Sequence, residues 1–311
     1  MLIVALFFVS LGTFLAFNVL PGDASVSRLG TDVSEERREE VREELGLNKP
    51  VMTRYVEWLG KAVRGDFGES FQYSGTSVKE LLGKAATVTI WLAVVTFVIM
   101  VFLSIPLGIL AGKHLGGPVD RIVTGSGRVF MAVPSFFLGI LLIYLFSIVL
   151  SVIKTGAFVY PGQNFWECIK CLILPSFALG IPKAAMLIRY LRSSIMEEQK
   201  KDYVRTAYSK GLSINQVFYG HILRNALIPV VTFLALAVVD IFAGSIVVEQ
   251  VFSLPGLGKM LVNAITNRDY PVVQGIILIL ATVVIVVNFF VDLLYSRIDP
   301  RISLGGERSK R

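Results

Sequence analysis

The sequence has very few residues of the types that hold metals or form disulfides. Its 311 residues include two cysteines and two histidines. Cys168 and Cys171 form one isolated C-x-x-C, whereas a zinc site would need a second pair or neighbouring histidines. We interpret them as residues at the start of a helix, with a labile disulfide as the alternative. His114 and His221 both fall in segments between spans, and neither sits in a span beside cysteine or carboxylate ligands, so we predict no metal site.

Motifs of hydrolytic chemistry are also missing. There is no phosphate loop of the form G-x-x-x-x-G-K-S/T and no H-E-x-x-H. Four serines fall within hydrophobic runs but lack an evident base, and we expect them to hydrogen-bond across helices: Ser104, Ser135, Ser147 and Ser176. We therefore predict that this chain is not an enzyme.

Charge is scarce, and apolar runs are long. Only 17% of the residues are charged and 54% are hydrophobic, which is too apolar for a water-soluble globule. Runs near 20 apolar residues match the ~30 Å hydrocarbon core of a bilayer. The sequence predicts an all-α polytopic membrane protein with six spans, at about 2–20, 85–111, 129–152, 172–193, 226–248 and 272–295.

The distribution of Lys and Arg predicts the orientation. The segments 113–128, 189–224 and 296–311 hold fifteen basic residues and carry a net charge of +8 with Asp292, against −1 on the other side. By the positive-inside rule both termini are cytoplasmic. Because no stacking aromatics are interleaved with the basic residues, nucleic-acid binding is disfavoured.

These features predict four regions. Residues 1–20 form the first span; no basic residue precedes it and no small-x-small site follows it, so a cleaved signal peptide is not expected. Residues 21–84 form an extracytoplasmic helical insert, with helices from Ser34 to Gly46 and over 51–63, and a further helix start at Ser77. Residues 85–296 form a five-helix core with a polar loop at 194–225, and 297–311 form a tail.

The polar loop reads as two short helices joined by a tight turn. Gly211 can end the first helix in the left-handed conformation, and Ser213 with Gln216 forms a capping box for the second. Leu212 and Val217 occupy the positions of a hydrophobic staple on either side of that cap. Ala207 and Gly211 are small enough for another protein to approach the backbone. We interpret the loop as a docking device; the alternative is a solvated loop whose charges only fix topology.

A second irregular segment follows the fifth predicted span. Pro255, Gly256 and Gly258 interrupt the apolar pattern, residues 259–266 could form a short helix, and 269–271 begin the last span. We interpret it as a re-entrant segment lining the external mouth, which is permitted where backbone borders protein or water. The alternative is an ordinary turn.

Several motifs resemble one family of membrane proteins. They are R-G-D-F-G-E-S (64–70), D-Y-V-R-T-A-Y-S-K-G-L-S (202–213), R-N-A-L-I-P (224–229), the 248–275 segment and the ending D-L-L-Y-S-R-I-D-P-R-I (292–302). They are similar to permeases of the dipeptide, oligopeptide and nickel family of ABC importers, over essentially the whole chain. The general pattern of such permeases is E-A-A-x-x-x-G, and its positions correspond to Arg205, Thr206, Ala207 and Gly211 here, so the leading Glu and the first Ala are replaced.

The resemblance implies a permease subunit of an ATP-driven importer in a bacterial inner membrane. Its partners would be a second homologous permease, two ATPase subunits that bind ATP and Mg²⁺, and an extracytoplasmic substrate-binding protein, with no cofactor in this chain. The substrate would be a di- or oligopeptide, with a nickel chelate as the alternative. A secondary transporter or channel is an alternative of another class, but it would call for more ionisable residues within the spans or for inverted repeats.

The resemblance also implies roles for residues in two segments. Eight residues of the polar loop would contact the ATPase: Asp202, Tyr203, Arg205, Thr206, Ala207, Lys210, Gly211 and Leu212. Five residues would line the external mouth: Pro255, Gly256, Leu257, Gly258 and Met260.

Two charged residues, Lys183 and Asp240, lie within predicted spans. Each costs about 2.5–3.5 kcal/mol at mid-membrane unless it finds a partner or water. We favour a salt bridge between the two spans. The alternative is that one or both line an aqueous pathway and meet the charged ends of a peptide. The family usually has a small residue where Asp240 stands, so the resemblance implies no shared role there.

Overall fold

The computed structural model describes residues 2–19, 48–73, 75–153, 156 and 158–298, with 34, 36, 39, 40 and 43 besides. This part of the chain is helical, apart from turns and one isolated β-bridge between Glu69 and Ser77. The predicted helix from Ser34 to Gly46 and the tail beyond 298 lie largely or wholly outside the described residues. The helices, in chain order, are α1 (Leu2–Val19), α2 (Val51–Ala62), α3 (Val78–Lys113), α4 (Pro118–Ala132), α5 (Ser135–Ile143), α6 (Phe165–Glu198), α7 (Asp202–Ser209), α8 (Ile214–Val217), α9 (Leu223–Phe252), α10 (Leu257–Thr266) and α11 (Tyr270–Ile298).

Among the described residues, four helices are long and apolar enough to cross a membrane. They are Val78–Lys113, Phe165–Glu198, the continuous helix Ile214–Phe252, and Tyr270–Val291 within α11. The bent pair α4–α5 would make five, and α1 contributes a shorter apolar helix, Val4–Ala16. The helices run past the predicted spans because polar residues continue the helical hydrogen bonding beyond each apolar run. The predicted all-α fold is confirmed, with four or five candidate spans.

The predicted span 129–152 is not one straight helix. α4 ends at Ala132 and α5 begins at Ser135, with a bend of 98° between the two. Pro134 causes the break, because a residue before proline is pushed out of the α region. Val133 accordingly adopts an extended conformation, with φ −86° and ψ 121°. A π-helical turn, Tyr144–Val149, extends α5.

The chain forms two compact units, and the first combines Met1–Ile90 with Ser253–Ile285. Within it, α1 packs on α2 through Tyr55, which is buried. The Tyr55 hydroxyl lies 2.9 Å from Ser10 Oγ, and its ring meets Phe14 edge-on at 5.4 Å. A separate apolar cluster joins the start of α3 to α10 and α11 around Leu82, Leu257 and other buried residues.

The second unit combines Trp91–Phe252 with Val286–Arg311. In it, α3 and α6 run in the same direction, since residues further along α3 contact residues further along α6. A methyl group on Gly108 would lie 2.8 Å from Leu191, and one on Gly112 would lie 2.6 Å from Ile195. At the ends of the two helices, Gln199 Nε2 donates a hydrogen bond to the Gly112 carbonyl at 3.2 Å.

α9 runs antiparallel to α6 in the same unit. Ser194 Oγ donates to the Ala226 carbonyl at 2.9 Å near one end, and Leu179 packs on Gly244 further along. Because α3 and α6 run in the same direction, the segment between them must run in the opposite direction. The bent pair α4–α5 makes that reversal, so it carries the chain from one end of this unit to the other.

Candidate functional site

A Schellman motif forms the turn at the centre of the polar loop 194–225, which we call the coupling segment. The Gly211 N–H donates to the Tyr208 carbonyl at 2.9 Å, and the Leu212 N–H donates to the Ala207 carbonyl at 3.4 Å. This is the bond pattern of that helix ending. Gly211 has a φ of +84°, the left-handed conformation that the sequence predicted.

The next helix, α8, starts with the predicted capping box. The Gln216 N–H donates to Ser213 Oγ, and the Ser213 N–H donates to Gln216 Oε1 at 2.9 Å. Leu212 and Val217, the two predicted staple residues, pack in the same apolar cluster. The angle between α7 and α8 is thus fixed by local hydrogen bonds and by burial on both sides of the turn.

One side of α7 is inside the protein and the other is exposed. Val204 and Ala207 are buried in a cluster with residues of α6 and α9. The small size of Ala207 therefore serves packing within the chain, which corrects the expectation that it leaves room for a partner. Tyr203 and Leu212 also pack against this cluster. The predicted contact residues that face outward are Asp202, Arg205, Thr206, Lys210 and Gly211.

A polar contact fastens the start of α7 to the end of α6. Tyr203 Oη and Lys201 Nζ both donate hydrogen bonds to the Glu198 carboxylate. The bond to Glu198 raises the pKa of Lys201. Burial, together with the bond to Glu198, raises the pKa of Tyr203. The coupling segment is therefore joined to the bundle by both apolar and charged contacts.

The predicted mouth segment, residues 255–260, begins a helix two residues earlier than expected. Gly256 is the N-cap of α10, and the Leu257 N–H donates to Thr89 Oγ1 at 2.8 Å. Leu257 and Gly258 are buried in the first unit. Leu257 is thus a core residue rather than a lining residue, because its side chain fills the cluster between α3, α10 and α11.

A cleft of about 190 Å³ lies beside this segment in the first unit. Three of the predicted mouth residues line it, namely Pro255, Gly256 and Met260. Four residues with polar side chains also line it: Gln72, Tyr73, Lys259 and Asn263. A water-accessible wall next to the interrupted backbone fits the interpretation as a mouth, but the re-entrant character stays a prediction.

One residue near the cleft, Asp269, was not singled out by sequence reasoning. Its carboxylate is buried and accepts three hydrogen bonds: from Ser70 Oγ, from the Phe71 N–H at 3.1 Å and from the Gln72 N–H at 3.3 Å. Two motifs that resemble the family, R-G-D-F-G-E-S and the 248–275 segment, therefore meet at this carboxylate. The sequence offered one signal, because Asp269 directly precedes Tyr270-Pro271, where the last helix begins. Nothing in the sequence showed that its partner, Ser70, lies almost 200 residues away.

The helix α10 ends in a second Schellman motif just before Asp269. The Asp269 N–H donates to the Ala264 carbonyl at 2.8 Å and the Arg268 N–H to the Ile265 carbonyl at 3.2 Å. Arg268 has a φ of +55°, which is unusual for a residue with a side chain. The tight turn directs the Asp269 side chain to the 70–72 backbone.

The two charged residues within the spans are in contact. Lys183 Nζ lies 3.8 Å from Asp240 Oδ2, on α6 and α9 of the second unit. Their exposures are unequal, at 17% for the Lys183 side chain and 68% for that of Asp240. A second ion pair in this unit joins α4 to α6, with both Arg192 Nε and Nη2 donating to the buried carboxylate of Asp120.

Comparison with protein families decides the class of this chain. Residues 104–304 match the family of the binding-protein-dependent transport system inner membrane component, and residues 1–85 match its N-terminal family. The chain belongs to this family. The resemblance to ABC-importer permeases of the dipeptide and oligopeptide family is thereby confirmed, and the chain is a multi-pass permease subunit of an importer.

Curated relatives match this permease over nearly its whole length. The oligopeptide transport system permease protein AppB of Bacillus subtilis (strain 168) is 38% identical over 292 residues, covering 93% of this chain and 92% of the relative. The glutathione transport system permease protein GsiC of Escherichia coli O1:K1 / APEC is 38% identical over 301 residues, covering 97% and 95%. Among solved structures, the inward-facing MetNI methionine ABC transporter shares the fold, with a TM-score of 0.58 and 16% identity over 70% of this chain and 96% of that one.

Proposed function

We propose that this permease forms half of the translocation pathway of an ATP-driven importer of di- or oligopeptides. Its coupling segment transmits the state of the ATPase subunits to the helical bundle. The observation that carries the proposal is the two-sided α7. Its outer face is polar and exposed, while Val204 and Ala207 on its inner face belong to the cluster that holds α6 and α9.

This arrangement suits the transmission of movement. Protein interiors are densely packed and resist compression, so a displacement of α7 carries along the helices packed against it. The hydrogen bonds from Tyr203 and Lys201 to Glu198 add a direct link to α6. ATP binding would close the two ATPases, move α7 and turn the bundle from inward-facing to outward-facing as a rigid body.

The complete transporter, on this proposal, contains four further protein partners. A second homologous permease completes the pathway, two ATPase subunits bind ATP and Mg²⁺ on the cytoplasmic side, and an extracytoplasmic binding protein delivers substrate. The chain would cross a bacterial inner membrane six times: by the four long helices, the bent α4–α5 pair and α1, with both termini in the cytoplasm. The excess of Lys and Arg in the segments assigned to the cytoplasm supports that orientation.

The peptide assignment draws on the relatives. The two quoted above carry the printed names of oligopeptide and glutathione permeases, and glutathione is itself a tripeptide. Nickel-chelate import is the alternative within the same family. Among the described residues there is no group of three or more His, Cys, Asp or Glu side chains that could hold a metal ion.

Uptake by the reconstituted complex tests the proposal. The permease would be assembled in proteoliposomes with the second permease, the ATPases and the binding protein encoded with it. We expect ATP-dependent accumulation of a labelled tripeptide that is lost when ATP is replaced by a non-hydrolysable analogue. Arg205→Glu, on the exposed face of α7, should weaken assembly with the ATPases, whereas Lys170→Glu in the exposed Lys170–Glu167 pair should not. ATP-dependent uptake of a nickel chelate but of no peptide would contradict the peptide assignment.

A further inference from the structure

The pair Lys183–Asp240 sits on a regular seam between α6 and α9. Tyr190 stacks on Phe233 at 5.4 Å, seven residues along each helix from the pair. Leu179 and Gly244 make the next close contact in the other direction. In each of these contacts the two residue numbers add up to the same value, as expected for one antiparallel seam. The backbone at Asp240 is therefore held along the middle of a packed helix pair.

Both charges lie near the middle of their helices. Lys183 is within about 3 Å of the midpoint of α6, and Asp240 is about 4 Å from the midpoint of α9, at 1.5 Å per residue. The surrounding residues of both helices are largely apolar. These positions place the pair deep within the span, far from either end, where the lipid hydrocarbon would solvate a charge poorly.

The exposure of the two side chains shows which one faces away from the bundle. Asp240 lies on a stripe of α9 that the described residues of the second unit leave exposed, together with Leu236, Ala243 and Val247. The ammonium of Lys183 stands behind the carboxylate at 3.8 Å, which is longer than the ~2.7–2.9 Å of a charge-assisted hydrogen bond. The carboxylate therefore keeps acceptor sites that point outward.

We propose that Asp240 is a cation-recognition point on the wall of the translocation pathway, and that it receives the positive charge of a peptide, either its α-ammonium group or a Lys or Arg side chain. This rests on the proposed function and deepens it. An outward carboxylate at mid-span requires water or protein beside it. A static interface would bury a loosely paired charge at a high desolvation cost, whereas a water-filled pathway would not.

Lys183 has a supporting role in this account. Its ammonium balances the charge of the Asp240 carboxylate when no substrate is bound. It also weakens the attraction between Asp240 and a bound cation, so that the cation can leave again. Removing the lysine should therefore tighten the hold on cationic peptides and slow their release. Removing the aspartate should abolish the preference for them.

The test compares peptides in the complete reconstituted importer. Uptake of Ala-Lys-Ala and of Ala-norleucine-Ala, which has nearly the same shape without the side-chain charge, is measured for wild type, Asp240→Asn, Lys183→Met and the double variant. All share the same binding protein, so the ratio of each variant to wild type isolates the permease. To include the α-ammonium group, N-acetylated forms of both peptides are measured as well. Glu80→Gln, which breaks an exposed ion pair with Lys84, is the matched control.

We expect Asp240→Asn to reach normal amounts in the membrane. It should lower uptake of Ala-Lys-Ala, which carries two ammonium groups, at least tenfold relative to N-acetyl-Ala-norleucine-Ala, which carries no cation. The double variant should not restore it, and Glu80→Gln should change neither uptake by more than about twofold. The proposal would be overturned if Asp240→Asn lost uptake of all peptides equally or left uptake unchanged. It would also be overturned if the double variant recovered both protein amount and uptake, a result that would identify a structural pair.

A second measurement does not depend on peptide transport. Asp240→Cys in a Cys168→Ala, Cys171→Ala background should react with a cationic water-soluble thiol reagent in the assembled complex. Absence of labelling would overturn the placement on an aqueous wall. If wild type imports no peptide, the proposed function fails at that point. If wild type imports peptides and Asp240→Asn does not discriminate by charge, only the present inference fails.

Discussion

The buried carboxylate of Asp269 offers a prediction that depends on the structure alone. Replacing it by alanine removes three hydrogen bonds to the 70–72 segment. Hydrogen bonds to a charged group contribute about 1.5–3 kcal/mol each, and leaving buried donors unpaired adds to the loss. Because Gln72 is exposed and its N–H can return to water, we discount the sum and expect local opening to become easier by about 2–4 kcal/mol.

Chymotrypsin reports this opening, since it cleaves after aromatic residues such as Phe71 and Tyr73. When opening and closing are fast, cleavage follows the population of the open form. Asp269→Ala should therefore raise the cleavage rate of the purified complex at this segment at least about 30-fold, with Asp269→Asn intermediate. The matched control is Asn267→Ala, which removes one exposed hydrogen bond and should stay within about twofold of wild type. Cleavage of Asp269→Ala at the control rate would refute the reasoning.

Three further predictions concern other parts of the chain. A Cβ at position 211 would have no atom within 4 Å, but Gly211→Val strains the left-handed turn by about 1–2 kcal/mol. The substrate-stimulated ATPase activity of the complex should therefore fall. Gly211→Asn should retain most of that activity, because asparagine tolerates this conformation. Arg192→Met removes the ion-pair partner of the buried Asp120 carboxylate, which keeps its hydrogen bond from the Gly116 N–H. It should destabilise the permease by about 3–5 kcal/mol in thermal unfolding, and the double variant Arg192→Met, Asp120→Leu should recover much of the loss. Met260→Cys in a Cys168→Ala, Cys171→Ala background should react with a membrane-impermeant reagent from the extracytoplasmic side; labelling from the cytoplasmic side alone would invert the predicted orientation.

The coupling segment was predictable in detail because its structure is local. A left-handed glycine, a capping box and a staple are each specified by residues within six positions, so Gly211, Ser213 and Gln216 were sufficient. What the sequence did not show was which side of α7 is buried. That depends on α6 and α9, and for this reason Ala207 was assigned to a partner surface although it packs inside the chain.

The long-range contacts could not be derived in the same way. The hydrophobic runs predicted the crossing helices, but apolar residues on all sides of a helix do not show which face meets which neighbour. Asp269 and Ser70 are joined across a separation that no pattern spans. The pairing of Lys183 with Asp240 was expected because two isolated charges at similar depth need each other, whereas the outward exposure of Asp240 depends on helix rotation and needed the structure.

The most direct test of the central claim is site-specific photo-crosslinking from the exposed face of α7. A photoreactive amino acid at Thr206, which is exposed, should crosslink in native membranes to a protein that carries a G-x-x-x-x-G-K-S/T phosphate loop, and the yield should change on addition of ATP. The same probe at Tyr144, exposed in the π-helical turn after α5, should give no such product. A crosslink from Thr206 only to lipid, or to proteins without a phosphate loop, would contradict the account of this chain as an ATPase-coupled permease.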